Sequence, residues 1–179
     1  MSTIKVHDKH FRPFINEEAI RERVAALTAD IDRDYAGKRP LFLAILNGSF
    51  VFAADLFRRL TIEAEISFIK LASYKGTSST GNVVTAIGME ENISGRDIIL
   101  LEDIIDTGKT LSSFLPELQS RQPASLKIAT FLSKPTALQY PVKADYVGFE
   151  VPDKFVLGYG LDYDGLGRNL PELYELVED

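Results

Sequence analysis

The stretch Ile98-Ile99-Leu100-Leu101-Glu102-Asp103-Ile104-Ile105-Asp106-Thr107-Gly108-Lys109-Thr110 constrains this chain more than any other. Ile98 to Leu101 are apolar without alternation, the pattern of a strand buried on both faces of a sheet. Two adjacent carboxylates follow, then Ile104 and Ile105, then a short polar turn from Asp106 to Thr110. Beyond it Leu111, Phe114, Leu115 and Leu118 recur at helical spacing. The pattern predicts strand, acidic edge, small-residue turn and helix. Backbone N–H groups left unpaired where such a helix starts, with Thr hydroxyls beside them, can dock an anion such as phosphate. Carboxylates next to that anion need a metal ion or sugar hydroxyls as partners. Gly108-Lys109-Thr110 has the ending of an ATPase P-loop. The first glycine of that motif would fall at position 103, which is Asp, so the ATPase reading fails. An ordinary acidic surface turn is the plain alternative.

Composition narrows the chemistry. A chain of 179 residues, 45% hydrophobic and 26% charged, fits one globular domain over residues 1–179 with a substantial core. It has no apolar run long enough to span a membrane, and a polar start unlike a secretory signal. Cys is absent, which removes disulfide and thiolate chemistry and agrees with a cytoplasmic location. A net charge of -6 argues against a nucleic-acid partner. Only His7 and His10 are present, both near the N-terminus. General acid–base work therefore falls to Asp, Glu, Lys or Tyr, and a metal would be a hard, oxygen-liganded ion such as Mg²⁺.

Taken in order, residues 1 to 15 read as irregular, with Pro13 as a breaker. Asn16 is an N-cap, with Glu17 and Glu18 in the first turn of a helix that ends near Tyr35. Leu41 to Leu46 reads as a buried parallel strand, Asn47-Gly48-Ser49 as a tight turn, and Phe50 to Leu60 as a helix, a second junction suited to an anion. Ala64 to Leu71 and Val83 to Ile87 read as strands. Between them Ser73 to Asn82 is small and polar, suited to a solvated hairpin connection or to a lid whose Tyr74 caps a site. Pro116 should kink or shorten the helix after the central turn. Ser125 to Leu132 is a strand ending at Ser133-Lys134-Pro135, and Ala144 to Glu150 is another. The segment Pro152 to Gly165 is dense in glycine, aromatics and acids. Counting from Asp162, its fifth place is Leu166 and its twelfth Leu173, which excludes a calcium loop. Strands alternating with helices predict a parallel α/β sheet, where ligands sit at the carboxyl ends of strands. Each candidate segment lies just after such a strand.

The central stretch closely resembles the ribose-phosphate motif of the purine phosphoribosyltransferases, in which two acids precede a D-T-G-x-T loop. Pro152 to Tyr163 resembles that family's purine-binding segment, P-D-K-F-V-x-G-Y-x-L-D-Y, and the resemblance runs over roughly residues 40 to 175. It points to the hypoxanthine (or hypoxanthine-guanine) branch. The fold it implies is the type I phosphoribosyltransferase fold, a central, mostly parallel sheet flanked by helices, with a small hood formed by the N- and C-terminal segments. The activity it implies is purine salvage: transfer of the phosphoribosyl group from 5-phosphoribosyl 1-diphosphate to hypoxanthine or guanine, with Mg²⁺, releasing pyrophosphate.

The resemblance also assigns roles. Glu102 and Asp103 hold the ribose hydroxyls and, with Asp162, the metal. Asp106, Thr107, Gly108, Lys109 and Thr110 hold the 5′-phosphate, and Asp106 doubles as the general acid/base at purine N7. Lys134 meets the 6-oxo group, Phe155 stacks on the base and the Val156 backbone meets its edge. Gly48, Ser49 and Arg168 hold pyrophosphate, although Asn47 stands where the family's loop has Lys. A cis peptide is implied between Leu46 and Asn47. Ser73 and Tyr74 match the family's mobile loop, which closes over the reaction. Dimers or tetramers are usual in the family. Two alternatives are a phosphoribosyltransferase for another base, such as xanthine or a pyrimidine, and a non-catalytic regulator that kept the fold and binds RNA or DNA. The acidic balance counts against the regulator.

Overall fold

The computed structural model describes residues 3–74 and 83–177. At its centre lies a six-stranded sheet in the order β5-β4-β3-β6-β7-β8. Its strands are β3 (Leu41–Leu46), β4 (Glu65–Tyr74), β5 (Val83–Ile87), β6 (Asp97–Ile105), β7 (Ser125–Ser133) and β8 (Tyr146–Glu150). Five run parallel, and β5 closes the edge antiparallel to β4. The unbroken apolar runs land on the two central strands. Leu41 to Ile45 and Ile98 to Leu101 are all buried, because helices cover both faces.

Side-chain alternation divides the core. Phe42, Ala44, Ile99 and Leu101 face α1 (Glu17–Asp34) and α2 (Phe50–Phe57), packing with Ile20, Val24, Leu27, Ile31, Phe52 and Leu56. Leu41, Leu43, Ile45, Ile98 and Leu100 face α3 (Lys109–Ser120), packing with Leu111, Phe114 and Leu118. Each fully buried Leu, Ile or Phe stabilises the fold by roughly 1.5–3 kcal/mol. Asn16 caps α1 as its residue type predicts, its Oδ1 accepting from the Ala19 N–H at 2.8 Å.

Four expectations change. Residues 4–15 are not irregular. They form β1 (Ile4–Val6) and β2 (Lys9–Ile15), which join β10 (Leu173–Leu176) and β9 (Val156–Leu157) in an antiparallel sheet, order β1-β2-β10-β9. This is the hood that the resemblance implied. Pro13 is tolerated because β1 reaches only to Phe11, so Pro13 has a single neighbour, Tyr174, beside a register shift. Pro116 does not shorten α3, which runs on to Ser120. The helix after Ser49 stops at Phe57, short of Leu60, and closes in tight turns.

The fourth change concerns the acids, which lie within β6 and not beyond it. Strand β6 pairs with β3 only as far as Ala44 with Leu101. It stays paired with β7 through Glu102 with Thr130 to Ile105 with Ser133. From Glu102 onward one edge of the strand is therefore open, at the carboxyl end of the sheet. Ser73 and Tyr74 end β4, opposite Val84 and Val83. The greater part of the expected lid, 75–82, lies outside the described residues.

Candidate active site

The open edge of β6 meets the turn after β3. The backbone of Gly48 lies so close to Asp103 that a Cβ there would stand 1.7 Å from its Oδ2 and 2.5 Å from its Cγ. Gly160, at φ +99°, packs on the other side, where a Cβ would stand 2.3 Å from the Gly48 carbonyl oxygen. A side chain at 160 would push its turn away from that of Gly48, and one at 48 would displace the Asp103 carboxylate. The Leu46–Asn47 peptide is cis. Ser49 is fully buried and its hydroxyl donates to the Ile45 carbonyl at 2.5 Å. Only its backbone N–H is left for a ligand. Asn47 is exposed.

Glu102 and Asp103 are a carboxylate pair that no cation neutralises among the described residues. Glu102 is buried, accepting from the Asp103 N–H at 3.0 Å. Burial first, and the Asp103 charge second, push its carboxyl well above the usual range. Asp103 accepts from the Ile104 N–H at 2.9 Å. No group of three acids or His close enough to hold a metal alone occurs among the described residues.

The turn that follows is held from outside. Thr107 carbonyl oxygen accepts from the N–H groups of Gln139 and Tyr140, at 3.0 and 3.1 Å. Gly108, at φ +79°, is the N-cap of α3. A Cβ there would crowd Leu138, Tyr140 and Val142 at 3.0 to 3.3 Å. Gly108 has no side chain to cap α3; Thr107 Oγ1 accepts from the Lys109 N–H at 3.3 Å, and the other first-turn N–H groups have no capping side chain. The bracing segment 138–142 carried no functional expectation, since nothing in its composition marks it.

Lys134 is buried at the end of β7, its side chain 8% exposed. Its Nζ donates to Asp106 Oδ2 at 3.2 Å and to Asp153 Oδ1 at 3.4 Å. It is not a solvated surface residue. Phe155 is 43% exposed, with one side of its ring against Phe11 and Tyr163 at 6.2 and 5.6 Å between centroids. Val156 is buried in β9. Asp162 accepts from Arg168 Nη2 at 3.0 Å and from the Gly165 N–H at 2.7 Å. Arg168 also donates to the Gly160 carbonyl at 2.7 Å, and it lines a separate hollow with Phe50, Arg58 and Arg59. The Tyr159 hydroxyl donates to Asp55 at 2.8 Å. Burial and then that bond raise its pKa, which keeps it a donor that ties this turn to α2.

Two cavities result. One, of about 290 Å³, is lined by Ile45, Leu71 and the run Glu102 to Leu111. The other, of about 210 Å³, is lined by Asp103, Ile104, Asp106, Lys134, Phe155, Val156, Leu161 and Asp162. They share Asp103, Ile104 and Asp106. A helix-start turn and an aromatic pocket with a buried cation thus meet at a carboxylate segment.

Residues 15–164 match the family model described as the phosphoribosyl transferase domain. The chain is 38% identical over 177 residues to a hypoxanthine-guanine phosphoribosyltransferase of Aquifex aeolicus, covering 98% of this chain and 99% of the relative. It is 38% identical over 167 residues to the bifunctional protein TilS/HprT of Listeria innocua, of which it spans only 26%. A crystal structure of a Bacillus anthracis hypoxanthine-guanine phosphoribosyltransferase superposes with a TM-score of 0.86 at 39% identity, covering 93% of this chain and 98% of that one. The chain therefore belongs to the phosphoribosyltransferase family, among the hypoxanthine phosphoribosyltransferases.

Proposed function

We propose that this enzyme transfers the phosphoribosyl group of 5-phosphoribosyl 1-diphosphate to a 6-oxopurine, hypoxanthine and guanine in particular, and releases pyrophosphate. The observation that carries this reading is the junction of the two cavities at Asp103, Ile104 and Asp106. A purine ribonucleoside monophosphate has the same layout, with a phosphate at one end, a base at the other and a diol between.

The roles follow from the chemistry. The N–H groups and hydroxyls of Asp106 to Thr110 hold the 5′-phosphate. Glu102 and Asp103 accept from the ribose hydroxyls. The base lies on the free side of Phe155 with its edge at the Val156 backbone, and Lys134 donates to its 6-oxo group. Asp106 exchanges the proton at purine N7 as the new bond forms at C1 of the ribose. Gly48 and Ser49 offer backbone N–H groups to pyrophosphate, with Arg168 supplying positive charge behind them through the Gly160–Asp162 turn. Ser73 and Tyr74, at the end of β4, would begin the loop that closes over the reaction and excludes water.

The carboxylate pair fits a divalent cation. Two acids, one buried with a raised pKa and neither neutralised, gain most from a hard ion completed by substrate oxygens and water. Glu102 and Asp103 would hold Mg²⁺, which would supply Lewis-acid charge to the departing pyrophosphate, while Asp162, not clustered with them, would serve such an ion only through substrate or water oxygens.

The test is turnover of 5-phosphoribosyl 1-diphosphate with Mg²⁺ across hypoxanthine, guanine, xanthine, adenine and uracil. Nucleoside monophosphate and pyrophosphate should form with the first two and not with adenine or uracil. Preference for xanthine would move the base assignment. No product with any base would contradict the reading and return the regulator.

A further inference from the structure

We infer that Asp153 and Lys154 form a positioning clamp that sets Lys134 and Phe155 for the base, an inference that rests on the base site proposed above. A buried ammonium needs close carboxylate partners. Lys134 has two, Asp106 and Asp153, at 3.2 and 3.4 Å. Asp106 has other work at the base and the phosphate, so it cannot also be the fixed anchor of Lys134. Asp153 carries no such duty. By sharing the ammonium it keeps Lys134 from closing onto Asp106 alone and leaves a donor N–H for a 6-oxo group.

The next residue engages the other side. Lys154 Nζ lies 3.4 Å from Glu175 Oε2, on the hood strand β10. Glu175 is buried and is held also by Arg12 of β2, whose Nε donates at 2.6 Å. Two consecutive residues of opposite charge therefore hook the base segment to the end of β7 on one side and to the hood on the other. Phe155 comes directly after them, and its carbonyl accepts from the Leu176 N–H at 2.9 Å. Stacking ring and ammonium are thus held in one frame, although Lys134 follows β7 of the central sheet and Phe155 precedes β9 of the hood.

The test is steady-state kinetics of the full-length enzyme with hypoxanthine and 5-phosphoribosyl 1-diphosphate varied separately. In Asp153→Asn the ammonium keeps one carboxylate among the described residues and is drawn to Asp106. KM for the base should rise about tenfold, the scale of one charge-assisted hydrogen bond, with KM for the diphosphate sugar within about twofold. Asp153→Glu should recover much of the loss. Lys154→Met, which cuts the hood side alone, should raise the base KM in the same selective way, and it keeps the test open if Asp153→Asn does not fold. Both KM values moving together with a lowered Tm would mean a merely structural role and overturn the clamp. So would an unchanged base KM in Asp153→Asn. A wild-type enzyme with no 6-oxopurine turnover fails earlier, in its own arm. It removes the base-site reading and the clamp with it.

Discussion

At the scale of single residues, the site separates side chains that face the ligand from those turned inward. Ser49 gives its hydroxyl to the Ile45 carbonyl, so its contribution is a backbone N–H. Asp106 is half exposed, at 49%, and faces both cavities. Asp106→Asn should lower kcat by about 10²–10⁴-fold, the range for a lost general acid–base group. Turnover near wild type would remove Asp106 from proton transfer. Lys134→Ala should weaken 6-oxopurine binding and leave two carboxylates without their shared cation, measured as a raised base KM. An unchanged KM would separate Lys134 from the base. The types and spacing of these residues were legible in the chain. The partner Asp153 was not, because nothing local distinguishes a carboxylate aimed at a lysine from a solvated one.

At the scale of elements, strand ends and glycine contacts place the site. The apolar runs Leu41 to Leu46 and Ile98 to Leu101 announce the two central strands, since only a doubly covered sheet accepts apolar residues on both faces. What the chain alone could not show is how far each strand stays paired. The acids matter because β3 leaves β6 at Leu101, and that is a property of register. The contact of Gly48 with Asp103 is equally non-local. Gly48→Ala should displace the Asp103 carboxylate and the turn together, lowering kcat/KM for the diphosphate sugar by about 10²-fold, as a misplacement of about 1 Å can. Wild-type kinetics in that variant would mean that the turn and the carboxylate move independently.

At the scale of the whole molecule, the hood joins the two ends of the chain over the base pocket. Its strands escaped the sequence reading for physical reasons. Strand β1 has three residues, β2 contains Pro13 and charges at Lys9 and Arg12, and the second partner of β2, β10, lies at the far end of the chain. Glu175 is the electrostatic tie of this sheet. Burial raises its pKa, but Arg12 and Lys154 together outweigh burial and hold it below the ordinary 4.5. A carboxyl with a lowered folded pKa contributes stability above its unfolded value and loses it as pH falls through the folded value. Glu175→Gln should therefore lower Tm most near neutral pH, by about 2–4 °C per kcal/mol lost. The gap to wild type should close on acidification below 4.5. A gap independent of pH, in thermal unfolding followed from about pH 3 to about pH 7, would show that the carboxylate charge does not matter.

The central claim is that two cavities form one active site for a purine nucleotide. Its most direct test is a crystal structure with inosine 5′-monophosphate bound. The phosphate should lie on the turn Asp106 to Thr110, the ribose hydroxyls at Glu102 and Asp103, and the base between Phe155 and the Lys134 ammonium. A phosphate bound elsewhere, or a base outside the pocket of Lys134 and Phe155, would contradict it.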